Sequence, residues 1–210
     1  MAKGYWIAHV DVNNQEGYKA YAAANPGIFK KYGARFVVRA GKFESTEGTS
    51  RARNIVIEFP DYATALACYN SPEYQANIKV RQPHSTVDLI IIEGYDGPQP
   101  QRSPSAPPES AKKGYWVAQV DVTDPQGYKA YMTADMEPFG KFGGRFLVRG
   151  GLREVPEGKV RSRTVALEFP SFEAALDSYR SADYQAAKKL RDGKADFDLI
   201  IVEGYDGPQP

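Results

Sequence analysis

The chain has 210 residues, and its 27 Lys and Arg against 26 Asp and Glu give a net charge of +1. This balance argues against a general nucleic-acid partner and against an acidic membrane surface, because both favour proteins with a basic excess. No apolar run approaches the roughly 20 residues of a membrane span, and the N-terminus lacks the apolar core of a signal peptide. A cytoplasmic enzyme or binding protein is therefore the default expectation.

The first part of the chain reads as a β-α-β-β-α-β order of elements. Alternating apolar residues rich in aromatic and β-branched side chains predict strands, whereas apolar residues on one helical face predict helices. The predicted elements are a strand at 5–12, a helix at 15–32, strands at 35–40 and 51–59, a helical region at 62–81 and a strand at 87–95. The apolar run Leu89-Ile90-Ile91-Ile92 predicts that the last strand is covered on both faces.

Local signals mark breaks between and within these elements. Pro26 predicts a kink or a restart of the first helix, with Asn25 available as a local cap. Ser71 and Pro72 predict a break in the second helical region. The polar stretch 41–50 predicts a loop or a frayed hairpin arm. Cys68, the one cysteine of the chain, excludes an internal disulfide and is predicted to be a small buried apolar residue.

A proline-rich segment follows, and then the whole pattern returns. Gly4-Tyr5-Trp6 recurs as Gly114-Tyr115-Trp116, and residues 93–100 recur unchanged as 203–210, at a constant offset of 110 residues. A unit of this length is a duplicated domain, because solenoid repeats run about 20–50 residues. The predicted boundaries are a first repeat at 1–97, an extended linker at 98–113 and a second repeat at 114–210.

Each repeat predicts a four-stranded antiparallel sheet with both helices on one face. On the strand at 51–59, Ile55 and Ile57 share one side while Val56 lies on the other, so apolar groups remain on the face that the helices leave bare. Such a face requires a partner. The duplication supplies one, and the two sheets are predicted to pack on each other about a pseudo-two-fold axis.

Several segments resemble domain-of-unknown-function family 1330. They are the opening Lys-Gly-Tyr-Trp, residues 36–41, Glu58-Phe59-Pro60, residues 69–74 and residues 88–94. The family belongs to the dimeric α+β barrel superfamily, whose usual members are single ferredoxin-like domains that dimerise through their sheets. The resemblance implies an α+β fold, with two ferredoxin-like βαββαβ repeats packed sheet to sheet as an intrachain pseudo-dimeric α+β barrel. It leaves the reaction and any further homo-oligomer open.

Motifs for nucleotide, metal and serine-nucleophile chemistry do not occur in the sequence, so no cofactor and no metal is expected. Candidate acids and bases are His9, Asp88 and Asp198. In the second repeat Gln119 replaces His9, so a catalytic histidine would make only one half active. The alternatives are a hydrogen-bonded structural histidine and aspartates that pair with arginines.

Candidate substrate-binding residues recur in both repeats. Arg39 and Arg149 end a strand before a glycine, where a guanidinium could clamp a carboxylate or enolate, or could instead pair with a strand carboxylate such as Glu58. Arg53 and Arg163 are predicted to share a strand face with Arg51 and Arg161, as a basic patch over the central cavity or as solvated edge charges. Tyr74 and Tyr184 are candidates for the mouth of a pocket, with core packing as the alternative.

Three functions are consistent with this sequence. The first is a cofactor-independent enzyme, resembling the isomerases, cyclases and monooxygenases built on this fold, that acts on a small aromatic or carboxylate-bearing molecule. The alternative is a non-catalytic small-molecule-binding or scaffold protein. The third is that one half, the second, is only structural. None of these predicts a nucleic-acid or membrane partner.

Overall fold

The computed structural model describes residues 2–210 and confirms two similar α+β halves. The strands of the first half are β1 (Gly4–Val12), β2 (Arg35–Arg39), β3 (Phe43–Glu47), β4 (Arg53–Phe59) and β5 (Ser85–Glu93). Its helices are α1 (Gln15–Lys31), α2 (Tyr62–Asn70) and α3 (Pro72–Arg81). The strands of the second half are β6 (Gly114–Val122), β7 (Arg145–Arg149), β8 (Arg153–Glu157), β9 (Arg163–Phe169) and β10 (Ala195–Glu203). Its helices are α4 (Pro125–Ala134), α5 (Met136–Lys141), α6 (Phe172–Arg180) and α7 (Ala182–Lys189).

The helix breaks follow the sequence in part. Ser71 is extended at φ −65° and ψ 143°, as expected before a proline, and its side chain caps α3. The predicted restart at Pro26 is wrong, because α1 runs through it, and the Asn25 side chain accepts a hydrogen bond from Asn77 in the core instead of capping a helix. The equivalent helix of the second half does divide, at Asp135.

The polar stretch 41–50 is not a loop, because it contains a strand that each half gives to the other. β3 pairs with β10 and β8 pairs with β5, so the sheets have the orders β2-β4-β1-β5-β8 and β3-β10-β6-β9-β7. We call each exchanged strand with the turn that follows it an arm, at 43–50 in the first half and 153–160 in the second. Each arm satisfies the backbone groups at the edge of the other half's sheet, and its polar side chains suit the edge position. β10 lies more than a hundred residues from β3, and β5 lies at least 60 residues from β8, so local periodicity could not reveal either pairing.

The two sheets pack face to face, as predicted from their bare apolar surfaces. Ile90 and Ile92 of β5 are fully buried, and so is Val202 of β10. These residues belong to one apolar core that both halves build and that is separate from the helix-facing core of each half. Cys68 is also fully buried, as predicted.

The motif repeated at 93–100 and 203–210 forms a tail that extends from each half across the surface of the other. Gln99 accepts from the Phe146 backbone N–H at 2.7 Å and donates to its carbonyl at 3.1 Å, beside the edge strand β7. Gln209 makes the same pair of bonds to Phe36 beside β2. The motif therefore fastens the halves together. Within residues 2–210, no helix has the length and apolar character to cross a membrane.

Candidate functional site

A cavity with a volume of about 540 Å³ lies between the two sheets. It is lined by matched polar residues from both halves, where the apolar packing between the sheets ends. The first half supplies His9, Asp11, Arg51 and Asp88, and the second half supplies Gln119, Asp121, Arg161 and Asp198. This volume suits a small-molecule ligand. All three predicted catalytic residues, His9, Asp88 and Asp198, therefore face one cavity.

Arg51 holds two carboxylates in the first half of this cavity. Its Nε donates to Asp88 Oδ2 at 2.6 Å, and its Nη1 donates to Asp11 Oδ2 at 2.8 Å. The other oxygen of Asp88 accepts from the backbone N–H of Lys159, in the arm of the second half, at 2.9 Å. Asp88 therefore joins the halves, and both of its oxygens are engaged.

The second half repeats this arrangement. Arg161 Nε donates to Asp198 Oδ2 at 2.6 Å and Nη1 donates to Asp121 at 3.2 Å, while Asp198 Oδ1 accepts from the Thr49 backbone N–H at 3.0 Å. The arm turns at Gly48, whose φ of 63° is in the left-handed region and whose missing Cβ would collide with Asp198. These contacts support the arginine-partner alternative for both aspartates.

His9 is held in one tautomer by its neighbours. Its Nδ1 lies 2.6 Å from Asn54 Oδ1, an oxygen that also accepts from Ser50 Oγ at 3.1 Å. Because Asn54 Oδ1 can only accept, Nδ1 carries the proton and Nε2 carries the lone pair. Burial lowers the pKa of His9 below its ordinary value, so the imidazole is neutral at pH 7. Nε2 is buried and has no hydrogen-bond partner among residues 2–210.

Gln119 takes the place of His9 in the second half. Its Oε1 accepts from Thr164 Oγ1 at 2.9 Å, which leaves Nε2 as the free donor group. This nitrogen is also buried without a partner in the described chain. The two equivalent positions therefore present a free acceptor in one half and a free donor in the other.

The predicted substrate-binding residues lie on the opposite faces of the sheets, toward the helices. Cavities of about 50 Å³ and 30 Å³ lie there in the first and second halves. Tyr74 lines the first cavity, and Arg149, Arg163 and Tyr184 line the second. These residues are therefore not brought together with His9.

The tail of the second half covers Arg39. Its guanidinium lies 4.6 Å from the Phe36 ring centroid and 5.4 Å from that of Tyr205, and its Nη1 donates to the Tyr205 hydroxyl at 3.2 Å. Arg149 has the equivalent place against Phe146 and Tyr95. Stacking on the crossing tail therefore occupies the face of each guanidinium.

The prediction that Arg51 and Arg53 share a strand face is wrong. β4 begins at Arg53, so the alternation of the strand does not extend back to Arg51. Arg51 turns into the central cavity, whereas Arg53 lies on the helix side with its guanidinium 5.7 Å from the centroid of the Tyr18 ring. Arg163 lies on the helix side in the same way and lines the second-half cavity.

The predicted mouth tyrosines lie deep in the two halves. Tyr74 is only 2% exposed, and its hydroxyl lies 2.9 Å from that of Tyr21. Tyr184 is paired with Tyr131 at 3.1 Å in the same way. Both tyrosines therefore belong to the aromatic core, which was the alternative to a place at the mouth of a pocket.

Sequence reasoning missed Asp135. It lines the second-half cavity with only 5% exposure, and burial raises its pKa to about 7. The signal was present in the repeat, because Asn25 and Asn77 of the first half are replaced by Asp135 and Ala187. As for metals, residues 2–210 contain no group of three or more His, Cys, Asp or Glu side chains placed to hold an ion.

Both repeats match the model of a domain family of unknown function, DUF1330, over residues 3–95 and 113–205. The chain therefore belongs to this family and contains two copies of its domain. No curated protein matches the sequence.

Solved structures with low sequence identity share the fold. An anthrone oxidase-like protein has 12% identity and a TM-score of 0.57, covering 99% of this chain and 93% of that one. A mutant chlorite dismutase from Candidatus Nitrospira defluvii has 10% identity and a TM-score of 0.56, covering 95% and 91%. A monooxygenase candidate from Lactobacillus acidophilus has 11% identity and a TM-score of 0.51, covering 100% of both chains. At these identities the likeness shows the dimeric α+β barrel fold alone.

Proposed function

We propose that this tandem DUF1330 protein binds a small carbonyl compound in the central cavity and catalyses proton transfer on it without a cofactor. The observation that carries this proposal is the neutral imidazole of His9, whose Nε2 lone pair has no partner in the described chain and which lines a cavity of about 540 Å³. An imidazole that is neutral at pH 7 can act as a general base.

The neighbours of His9 support this role. Asn54 fixes the proton on Nδ1, so the basic nitrogen is Nε2. The Asp88 carboxylate lies opposite His9 on the adjacent strand, and its charge favours the imidazolium that forms when His9 accepts a proton. Asp88 thus acts as an electrostatic partner, while Arg51 holds it in place.

The reaction balances within the ligand and the protein. His9 Nε2 removes a proton from the carbon next to the carbonyl group, and the C–H electron pair forms an enolate. Gln119 Nε2 donates a hydrogen bond to the enolate oxygen, as an oxyanion-stabilising group does. Return of the proton to another carbon completes an isomerisation. When the imidazolium first exchanges its proton with solvent, protonation of the original carbon gives solvent exchange.

The names of two structural neighbours favour an aromatic ketone as the ligand class. One is named anthrone oxidase-like and another is a monooxygenase candidate. Anthrone is an aromatic ketone with an acidic C–H, so removal of that proton is chemistry that His9 could perform.

Hydrogen–deuterium exchange tests the proposal. A panel of aryl ketones beginning with anthrone is incubated with the protein in D₂O without oxygen, and loss of the C–H signal is followed by NMR. We expect His9→Gln to slow exchange by about 10²–10⁴-fold, the usual contribution of a general base. His84→Gln replaces the other histidine of the chain, which does not line the central cavity, and as the control it should leave exchange unchanged. Equal exchange by wild type and His9→Gln would exclude His9 as the base.

A binding function is the second candidate, and one observation favours it. Both oxygens of Asp88 and of Asp198 are engaged by an arginine and a backbone N–H, so the aspartates hold the cavity in shape. A ketone that raises the melting temperature of wild type without any exchange would support this function over catalysis.

A further inference from the structure

The helix-side cavity of the second half has features that the central cavity does not share. It lies between the sheet and helices α4, α5 and α7, and seven aromatic rings line it. The rings belong to Trp116, Tyr128, Tyr131, Phe139, Phe146, Tyr184 and Phe197. A space lined by aromatic rings favours a planar apolar ligand.

Asp135 places a carboxylate against this aromatic wall. It lies at the joint between α4 and α5, but its side chain makes no capping hydrogen bond to α5. Its Oδ1 is buried and has no hydrogen-bond partner within residues 2–210. A buried carboxylate oxygen without a partner is costly, so this one requires an explanation other than helix capping.

The first half shows how the same position is satisfied when it is only structural. There Asn77 Nδ2 donates to Asn25 Oδ1 at 2.8 Å and to the Tyr21 carbonyl at 3.1 Å. In the second half the pair has become Asp135 and Ala187, so the acceptor has gained a charge and has lost its donor. Asp135 therefore lacks the donor that the first half supplies at this position.

A free donor lines the same cavity. Arg163 Nε is buried and has no hydrogen-bond partner in the part of the chain that the structure describes. The neighbouring Arg149 is engaged, because it stacks 4.4 Å from the Phe146 ring centroid and donates to the Met132 carbonyl at 3.3 Å. The cavity thus presents one free acceptor and one free donor between aromatic walls.

We propose that this second-half cavity binds a small aromatic molecule that carries a hydroxyl group. The hydroxyl donates to Asp135 Oδ1 and its oxygen accepts from Arg163 Nε, while the ring packs on the aromatic wall. This site is independent of the central cavity and of proton transfer at His9.

The ligand enters by displacing part of the wall. The cavity of about 30 Å³ holds little more than water, so a ring needs more room. Met132 lines it, is partly exposed and has an unbranched, flexible side chain, so its rotation is the smallest movement that enlarges the space. The break between α4 and α5 lies beside it, whereas α1 of the first half is continuous.

The two tryptophans allow each half to be observed separately. Trp6 lines the first-half cavity and Trp116 the second, so protein labelled with 5-fluorotryptophan gives two fluorine resonances, which Trp6→Phe assigns. Phenol is the probe, and toluene is the control ligand without a hydroxyl group. We expect phenol at millimolar concentration to shift the Trp116 resonance in a saturable manner and to leave the Trp6 resonance in place.

A matched variant introduces the asparagine pair of the first half into the second-half cavity. Asp135→Asn with Ala187→Asn should weaken phenol binding about ten- to hundredfold, as expected for loss of a hydrogen bond to a charged group. The reciprocal Asn25→Asp with Asn77→Ala should create a phenol response at Trp6, and Met132→Ala should tighten binding at Trp116. Circular dichroism establishes that each variant is folded.

Three outcomes would overturn the proposal. They are no shift of Trp116 with phenol in either wild type or Met132→Ala, equal affinity for phenol and toluene, and unchanged phenol affinity in the folded Asp135→Asn, Ala187→Asn variant. None of these measurements involves the central cavity, so a failure of ketone exchange at His9 leaves the result unaffected.

Discussion

The two halves share a backbone but differ where polar side chains are buried. The central cavity has His9 with Asn54 in the first half and Gln119 with Thr164 in the second. The helix-side cavity has Asn25 with Asn77 in the first half and Asp135 with Ala187 in the second. In the central cavity the partner changed together with the residue, and a hydrogen bond persists in both halves. In the helix-side cavity the hydrogen bond of the first half is absent from the second, which indicates that something other than internal stability maintains Asp135.

Both halves contain an exchanged arm. Weakening an arm should have the largest effect on the free energy of unfolding. Arg81 is 3% exposed, and its Nη2 donates to both Glu157 oxygens, at 2.5 and 2.6 Å, across the boundary between halves. We expect Glu157→Ala to lower the free energy of unfolding by about 3–5 kcal/mol, because it leaves a buried cation unpaired. Chemical denaturation measures this loss.

A neighbour on the same strand provides the control. Glu154 of β8 is exposed, so Glu154→Ala should change stability by less than about 0.5 kcal/mol. The equivalent Glu47 binds both Arg191 and Lys188, so Glu47→Ala should cost at least as much as Glu157→Ala. A loss for Glu157→Ala no larger than that of the Glu154 control would mean that the arm does not hold the halves together.

Asp135 should give the second half a pH dependence that the first half lacks. Burial raises its pKa from 3.8 to about 7, against the opposing charges of Arg149, Arg163 and Arg191. The folded state therefore keeps a proton that the unfolded state releases, and stability falls as pH rises from about 4 to 7.

Asp135→Asn resembles the protonated acid and should remove that dependence. We expect it to be a few kcal/mol more stable than wild type at pH 8 and nearly equal near pH 3, where the carboxyl group of wild type is protonated in both the folded and the unfolded state. Asn25→Asp with Asn77→Ala should transfer the dependence to the first half. Parallel stability–pH curves for wild type and Asp135→Asn would show that the carboxyl group titrates normally.

His9 should give the opposite slope. Burial lowers its pKa below 6.5 in the folded state, so the unfolded chain binds the proton more readily and stability falls as pH drops through 6.5. His9→Gln should flatten the stability curve below pH 6.5, whereas Asn54→Thr together with His9→Gln copies the second half and keeps the hydrogen bond. Thermal denaturation between pH 5 and 8 measures the slope, and an unchanged acid limb in His9→Gln would contradict the assignment.

Residues within one repeat predicted the fold well, because alternation on β4 and the run at 89–92 report burial on two faces. The exchange of β3 and β8 could not be predicted, since pairing of an edge strand depends on which distant edge it reaches. The site was predicted in part. His9 and Asp88 lie opposite each other on neighbouring strands, and Asp198 reaches the same cavity from the facing sheet. The Asp135 site instead depends on a helix contact with position 187 that strand periodicity does not report.

The tails at 93–100 and 203–210 can also be compared between the halves. Their truncation should have the smallest effect on the free energy of unfolding. Gln209 bonds both backbone groups of Phe36, and Gln99 bonds both of Phe146. Each truncation to Ala should cost about 1–2 kcal/mol, because water replaces part of each lost bond. Amide exchange should quicken at Phe36 in Gln209→Ala and at Phe146 in Gln99→Ala, and in each variant the other half should keep its protection. Faster exchange at both sites in either variant would show that the tails act as one unit rather than as two separate fasteners.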